Sequence, residues 1–402
     1  MYTLEEYRDV MEKCSQCSFC QATCPVFLAT LMESQLARNR LNLIREIFFE
    51  KSMKLTDRAR EILEHCLLCT NCTQTCASQV PVTDILIAAR QEMGTDKGGV
   101  RATLMGKVLG KRALPPILGK LGAFAQKIGI GGKEMPRFAE KTFDHDFSGQ
   151  IAASGVQRAK VAYFVGCGTH FLFPDTGRAV VDVFSKNGIG IDIPEGQVCC
   201  GIPLLAEGDL EGAREAVRAN VAILDALDVD AIVTDCTSCG MMFKEKAGKC
   251  FPQDDPIQEK IGRVAEKMGE ATDYLNALGL VVEPEALAAR YAYHVPCHRA
   301  WAPGVKDAPL ALLARVEGLD YVPLDNPEHC CGAAGTFFMQ HRETAEKIRS
   351  PRLADIRKSD AQMVVTQCPT CRMYLSFRLD DREVLHPLSL LLKSYGADSD
   401  FR

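Results

Sequence analysis

The sequence predicts an α+β multidomain fold, with an N-terminal α-helical domain followed by two duplicated α/β cysteine-rich domains. Three observations predict it. Residues 1–94 hold eight of the 19 cysteines among helical patterns, and residues 95–158 hold none. Beyond them one cysteine series occurs twice. Cys167 matches Cys297 at an offset of 130, Cys199-Cys200-Gly201 matches Cys330-Cys331-Gly332 at 131, and Cys236 and Cys239 match Cys368 and Cys371 at 132. Ten cysteines drifting by only two residues point to duplication of one structural unit. The domains expected are therefore 1–94, a connector 95–158, a first repeat with its helical connector at 159–287, and a second repeat at 288–402.

Within the first domain, the stretch LARNRLNLIREIFFE between the two cysteine runs reads as helix. In the first repeat, KVAYFVGC is a short apolar strand ending at Cys167, and a helix follows from Asp175 to Asn187 with Gly188 as its stop signal. GIDIPEG leads to the Cys199-Cys200 pair, LEGAREAVRANVAILDAL is an amphipathic helix, and DAIVTDC is a strand ending at Cys236. The second repeat runs likewise through RYAYHVPC, a helix around Ala308 to Val316, a helix around Glu343 to Arg357, and the strand AQMVVTQC. Alternating strands and helices favour a parallel sheet, with the cysteines at the carboxyl ends of strands, where open α/β sheets place their sites.

Composition excludes several classes. A chain of 402 residues suggests two to four domains, and 25% charged and 47% apolar residues are ordinary for a globular protein. The formal net charge of −5 gives no case for nucleic-acid binding. The start, MYTLEEYRDVMEKC, lacks a basic region followed by an apolar stretch, and no run of about 18 apolar residues occurs. A cytoplasmic location is expected, where many cysteines usually mean metal rather than disulfides.

Cys14, Cys17, Cys20 and Cys24-Pro25 form C-x2-C-x2-C-x3-C-P; Cys66, Cys69, Cys72 and Cys76 repeat the spacing without the proline. Such a loop turns three thiolates toward one [4Fe-4S] cubane, while the fourth ligates the second cluster. The expected sets are thus Cys14, Cys17, Cys20 and Cys76 for one cluster, and Cys66, Cys69, Cys72 and Cys24 for the other. Structural zinc, built from paired CxxC units, leaves the third cysteine of each run unexplained. Residues 26–65 are too long for a minimal ferredoxin and look helical, which favours an α-helical ferredoxin domain.

Each repeat reads C, 31 or 32 residues, CCG, 34 or 35 residues, then CxxC. Adjacent cysteines are poorly suited to a mutual disulfide, but their thiolates can serve different metals of one cluster. Gly201 and Gly332 permit close backbone approach or positive φ there.

These spacings and the Cys-Cys-Gly motif resemble the cysteine-rich domain of the heterodisulfide reductase family. The whole chain resembles the iron–sulfur subunit of glycolate oxidase, with similar chains serving D-lactate dehydrogenases and anaerobic glycerol-3-phosphate dehydrogenase. In the heterodisulfide reductase family a full five-cysteine set implies a non-cubane [4Fe-4S] cluster, and both sets are full here: Cys167, Cys199, Cys200, Cys236 and Cys239, and Cys297, Cys330, Cys331, Cys368 and Cys371. Glycolate oxidase subunits often lack some CxxC cysteines, and this chain departs from them. The alternative is a degenerate domain of packed free thiols. The resemblance implies a partner FAD-containing subunit that oxidises a 2-hydroxy acid such as glycolate or D-lactate, with electrons passing to a quinone or another carrier. It also implies a competing activity, disulfide reduction at a non-cubane cluster. A purely structural metal-stapled scaffold makes poor use of the ferredoxin spacing.

Other features are weaker. Cys250 fits neither series and reads as a buried small hydrophobe. His294, His298 and His329 flank motif cysteines, where hydrogen bonds to cluster sulfurs tune potential, or they are ordinary histidines. Residues 97–137 are basic, with Lys97, Arg101, Lys107, Lys111, Arg112, Lys120, Lys127, Lys133 and Arg137 against Glu134. This reads as an interdomain connector in preference to peripheral contact with an anionic membrane face. IGIGGKE has no Ser or Thr after its lysine, and no Rossmann fingerprint follows a strand.

Overall fold

A computed structural model describes residues 2–94, 136–299 and 301–396. The basic stretch lies almost wholly outside the described residues, as does IGIGGKE. The chain is mixed α/β: a helical ferredoxin-like region precedes two sheets, one in each cysteine-rich repeat.

The first sheet has the order β1-β3-β2-β4-β5, formed by Gly149–Ile151, Ile189–Ile193, Ala159–Tyr163, Ala231–Thr234 and Met268–Glu270. The second has the order β7-β6-β8-β9, formed by Leu319–Tyr321, Ala289–Tyr293, Met363–Val365 and Glu383–Leu385. Apart from β1, the two orders are the same when aligned by the repeat. Val161 pairs Ile191 on one side and Ala231 on the other, and Tyr291 pairs Tyr321 and Met363. All pairings are parallel except β1 with β3, an antiparallel edge drawn from the stretch read as connector.

The strands β3 and β4 are buried throughout, as a parallel sheet covered on both faces requires. The helix Pro174–Lys186 begins with proline at its first turn, carries Asp175 there, and ends before Gly188 at φ +75°. The helix Leu210–Leu224 is capped by Asp209, whose Oδ1 accepts from Gly212 N at 2.9 Å. The helix read around Ala308 to Val316 stops at Leu313. The strands β3, β5, β7 and β9 had no clear sequence signal. All but β3 have three residues, too few to display an alternation.

The repeats share an apolar core that holds Val161, Tyr163 and Val233 with Tyr291, Tyr293 and Val365. Across their contact, Trp301 Nε1 donates to Thr237 O at 2.7 Å and its ring covers Gly240, where a Cβ would sit 1.9 Å from the indole. Arg372 reaches back to Asp175 Oδ2 at 2.7 Å and Thr176 Oγ1 at 2.6 Å.

The helical N-terminal region straddles both repeats. Arg90 Nη1 donates to Ala206 O at 2.5 Å in the first, and His65 Nε2 pairs with Thr344 Oγ1 at 3.0 Å in the second. The strongest tether is buried: Asp84 Oδ1 accepts from Lys246 Nζ and Oδ2 from Lys249 Nζ, each at 2.6 Å, while Tyr2 Oη donates to Oδ1 at 3.1 Å. Burial pushes the Asp84 carboxyl up, but the two lysines outweigh it and the net shift is downward. Asp84→Asn leaves the Lys246 ammonium buried without its counter-charge and is expected to cost about 3–5 kcal/mol, read as a lower guanidinium midpoint at pH 7 under anaerobic conditions. Because the folded pKa is depressed, this stabilisation is present above the unfolded aspartate value of about 3.9 and is lost as pH falls through the folded value. A variant with an unchanged midpoint would remove the tether from the account.

Candidate metal centres

The two N-terminal cysteine loops have the same backbone. In each, the second and fourth residues after the first cysteine are left-handed: Gln16 at φ +54° and Ser18 at +69°, then Leu68 at +53° and Thr70 at +65°. None is glycine, and each such residue costs about 1–2 kcal/mol. Strain repeated at matching positions marks a loop bent to a purpose. A cavity of about 30 Å³ is lined by Cys14, Cys17, Cys20 and Cys76, with Cys72 on its wall. Cys24 lies elsewhere, in the apolar core with Leu67 and Cys69, and shares its electrostatic surroundings with Cys66 and Cys72. Burial pushes the Cys24 thiol up, and the Arg40 guanidinium opposes that rise. Arg40 is itself buried and held by Ile62 O at 2.9 Å, His65 O at 2.5 Å and Gln35 Oε1 at 2.6 Å. Cys14, Cys17, Cys20 and Cys76 thus share one cavity, and Cys24 stands with the second loop rather than with its own.

In the repeats, five thiols touch in one order. The first repeat runs Cys167, Cys199, Cys200, Cys239, Cys236. The second runs Cys297, Cys330, Cys331, Cys371, Cys368, with Cys331 Sγ 3.2 Å from Cys371 Sγ. Bonds from Cys199 and Cys239 bring the Cys200 thiol down to about 6; Cys297 and Cys331 hold Cys330 well below its usual value. The same contacts, with burial, push partner thiols up: Cys199 and Cys239 in the first set, Cys297, Cys331 and Cys371 in the second. Gly201 and Gly332 sit at φ +98° and +86°, beside Ala213 O and Ala345 O respectively. No disulfide forms among the described residues.

The sets adjoin. Cys69 lines one cavity with Cys330 and Cys297, and Thr237 N, next to Cys236, donates to Gln367 O, next to Cys368, at 3.1 Å. Thr70 Oγ1 donates to Cys297 O at 3.4 Å. A larger cavity of about 120 Å³ opens between the ferredoxin-like region and the repeats, bordered by Cys69, Cys297, Cys330, Cys331, Cys368 and Cys371, with Ile202, Met241, Lys246 and His298 around them.

The histidines separate. His298 pairs Nδ1 with Ser238 Oγ at 2.9 Å and Nε2 with Leu68 O at 3.1 Å, and so joins three parts of the chain. His329 Nε2 faces Ile348 O at 3.2 Å. His294 is fully enclosed, and burial holds its imidazole neutral. Cys250 is buried and donates to Lys246 O at 3.5 Å, an ordinary packed thiol.

Two buried arginines escaped the sequence reading. Arg40 stands by Cys24, and Arg352 stands by Cys330, Cys331 and Cys371 while donating to the carbonyls of Asn326 and His329. At an offset of 132 the first repeat has Asn220 instead, whose Nδ2 donates to Cys199 O at 3.0 Å. The second set therefore has a guanidinium, paired with Asp355 Oδ2 at 2.9 Å, where the first has a neutral amide. A single arginine in a helix carries no signal of burial.

The residues fit iron–sulfur clusters: thiols converge in sets, strained loops bend around them, and adjacent cysteines point along one chain of contacts.

Comparison with known proteins agrees. A model of a 4Fe-4S dicluster domain matches residues 10–80, and a model of the CCG cysteine-rich domain matches 161–244 and again 291–376. The chain is 26% identical over 404 residues to a subunit of the fumarate reductase (CoM/CoB) of Methanothermobacter marburgensis, spanning 98% of this chain and 75% of that one. It is 32% identical over 239 residues to lactate utilization protein A 2 of Bacillus cereus, spanning 58% of this chain and 98% of that protein. Glutamate racemase from Francisella tularensis aligns at 14% identity and a TM-score of 0.23 over 59% of this chain and 80% of that one, which supports no argument. With the dicluster domain before two CCG domains, and a relative matched over nearly its whole length, the chain belongs to the family of CCG-domain iron–sulfur subunits that includes lactate utilization protein A.

Proposed function

We propose that this chain is the electron-transfer subunit of a flavin-dependent complex that oxidises a 2-hydroxy acid, glycolate or D-lactate, and delivers the electrons to a quinone or another carrier. When bound, [4Fe-4S] clusters take up and release single electrons. Cys14, Cys17, Cys20 and Cys76 would hold one and Cys24, Cys66, Cys69 and Cys72 a second. The two five-cysteine sets would hold one non-cubane cluster each. The observation that carries this reading is the contiguity of the thiol sets: Cys72 borders the first cavity, Cys69 lines the larger cavity with Cys297 and Cys330, and beside Cys236 and Cys368 Thr237 N donates to Gln367 O at 3.1 Å. At the far end, Cys17 is exposed beside Phe19, itself 63% exposed, a suitable face for an FAD-containing partner. No described helix is long and apolar enough to cross a membrane.

Anaerobically purified chain is expected to contain about sixteen iron and a similar amount of acid-labile sulfide, four clusters of four irons. About eight would remove the clusters of the repeats; zinc in place of iron would end the reading. Dye reduction by the purified complex with glycolate, D-lactate and glycerol 3-phosphate then identifies the substrate.

A second reading, disulfide reduction at the second cysteine set, is favoured by the cavity of about 120 Å³ that reaches Cys297, Cys330 and Cys331. Activity confined to a disulfide assay driven by reduced viologen would establish it over the first.

A further inference from the structure

The two repeats carry the same chain of five thiols but differ in what stands against it. After β2 comes Phe164, whose backbone N donates to Val233 O at 2.9 Å. Its ring packs edge-on against Phe243 at 4.8 Å, in the apolar core that contains Cys199, Cys200, Cys236 and Cys239. The matching residue after β6, at an offset of 130, is His294, whose backbone N donates to Val365 O at 3.0 Å. The backbone is equivalent, yet an apolar wall is replaced by an imidazole.

That imidazole has no protein partner. His294 is 1% exposed, and neither Nδ1 nor Nε2 has a hydrogen-bond partner among the described residues. Leaving such a buried polar group unsatisfied costs about 1–3 kcal/mol. One ring nitrogen and the Sγ atoms of Cys331 and Cys371 lie within 4.8 Å of one another, all buried. Neutral imidazole is a good ligand for iron as well as for zinc and copper.

We propose that His294 is a sixth protein ligand of the second cysteine set, bonded through one ring nitrogen to an iron shared with Cys331 and Cys371. The two repeats then hold chemically different clusters, all-thiolate in the first and mixed thiolate–imidazole in the second. This rests on the reading that the second set holds an iron–sulfur cluster. Histidine ligation raises the potential of a cluster relative to thiolate alone. The second repeat would be the more oxidising site, next to Cys69 of the ferredoxin-like region.

The test uses the full chain, purified without oxygen and labelled with 15N-histidine. Pulsed electron paramagnetic resonance is recorded in reduced and oxidised states, and Cys371→Ser identifies the signal of the second set. The expected result is the strong coupling of a directly bonded imidazole nitrogen on that signal. It responds to the label and is lost in His294→Phe, which copies the first repeat. Where His294→Phe fails to fold, the labelled unsubstituted chain still decides whether an imidazole is bonded to the second set, where His298 and His329 already engage ring nitrogens with Ser238, Leu68 and Ile348. A second-set signal with only the weak coupling of a hydrogen-bonded imidazole overturns the ligand and leaves the cluster standing. Unchanged iron content and an unaltered spectrum in Cys371→Ser overturn both.

Discussion

Cys24→Ala is expected to remove about four of about sixteen irons, and to take them from the cluster assigned to the other loop. Cys24 ends its own run, but Pro25 opens the helix Pro25–Thr30 immediately behind it and turns the chain away. Its Sγ accepts from Phe27 N at 3.5 Å and its side chain sits in the core with Leu67 and Cys69. On the proposed assignment the thiol would join Cys66, Cys69 and Cys72, while Cys14, Cys17, Cys20 and Cys76 keep their cavity. Loss of outer groups around a metal already costs 10- to 100-fold, so loss of a ligand in the middle of the series should lower dye reduction by the complex about 100-fold or more. Cys76→Ala is the mirror case and should empty the other cluster. Iron analysis and the spectrum of each variant check the crossing. Loss from the loop that contains the substituted cysteine would refute it.

Gly332→Ala should be among the most damaging single-methyl additions to the chain. Gly332 sits at φ +86°, and its Cβ would lie 2.6 Å from Ala345 O and 3.3 Å from Ile348 Cβ. Left-handed strain of about 1–2 kcal/mol adds to overpacking of about 1–3 kcal/mol, giving a loss of about 2–5 kcal/mol. The helix Arg342–Lys358 cannot move aside easily, because Arg349 Nη1 holds Tyr374 O at 2.9 Å and Arg352 Nε holds His329 O at 3.3 Å. Gly201→Ala meets its nearest atom, Ala213 O, only at 3.3 Å and should cost about 1–2 kcal/mol, mostly strain. Gly335, at φ +61° with open space around it, isolates the strain alone. Guanidinium denaturation of the three variants without oxygen should rank Gly332→Ala well below the other two. A midpoint for Gly332→Ala equal to that of Gly335→Ala would show that the helix yields freely.

Much of this protein was legible from residue spacing. The three-residue steps of Cys14, Cys17 and Cys20, the matching run from Cys66, and the constant offset between the repeats are local patterns, because a cluster loop or a strand end is built from neighbours in the chain. The helices Pro174–Lys186 and Leu210–Leu224 announced themselves through apolar periodicity and end signals. The strands β5, β7 and β9 did not, because three residues hydrogen-bonded to a distant neighbour leave no period to read.

The residues around the cysteines were legible only as neighbours in sequence. His294, His298 and His329 look alike in that respect, yet one pairs with Ser238 and with Leu68, 230 residues away, one with Ile348, and one with nothing but two thiols. Arg352, the Asp84–Lys246 pair and the approach of Cys69 to Cys330 likewise join residues far apart. The sequence by itself determined the two cysteine runs, the duplicated cysteine-rich domain and the mixed α/β class of fold, since each rests on spacing along the chain. The tertiary structure alone decided which sets of thiols adjoin, which charge faces each, and which histidine is left unsatisfied. Those follow from packing between elements whose contacts have no period along the chain.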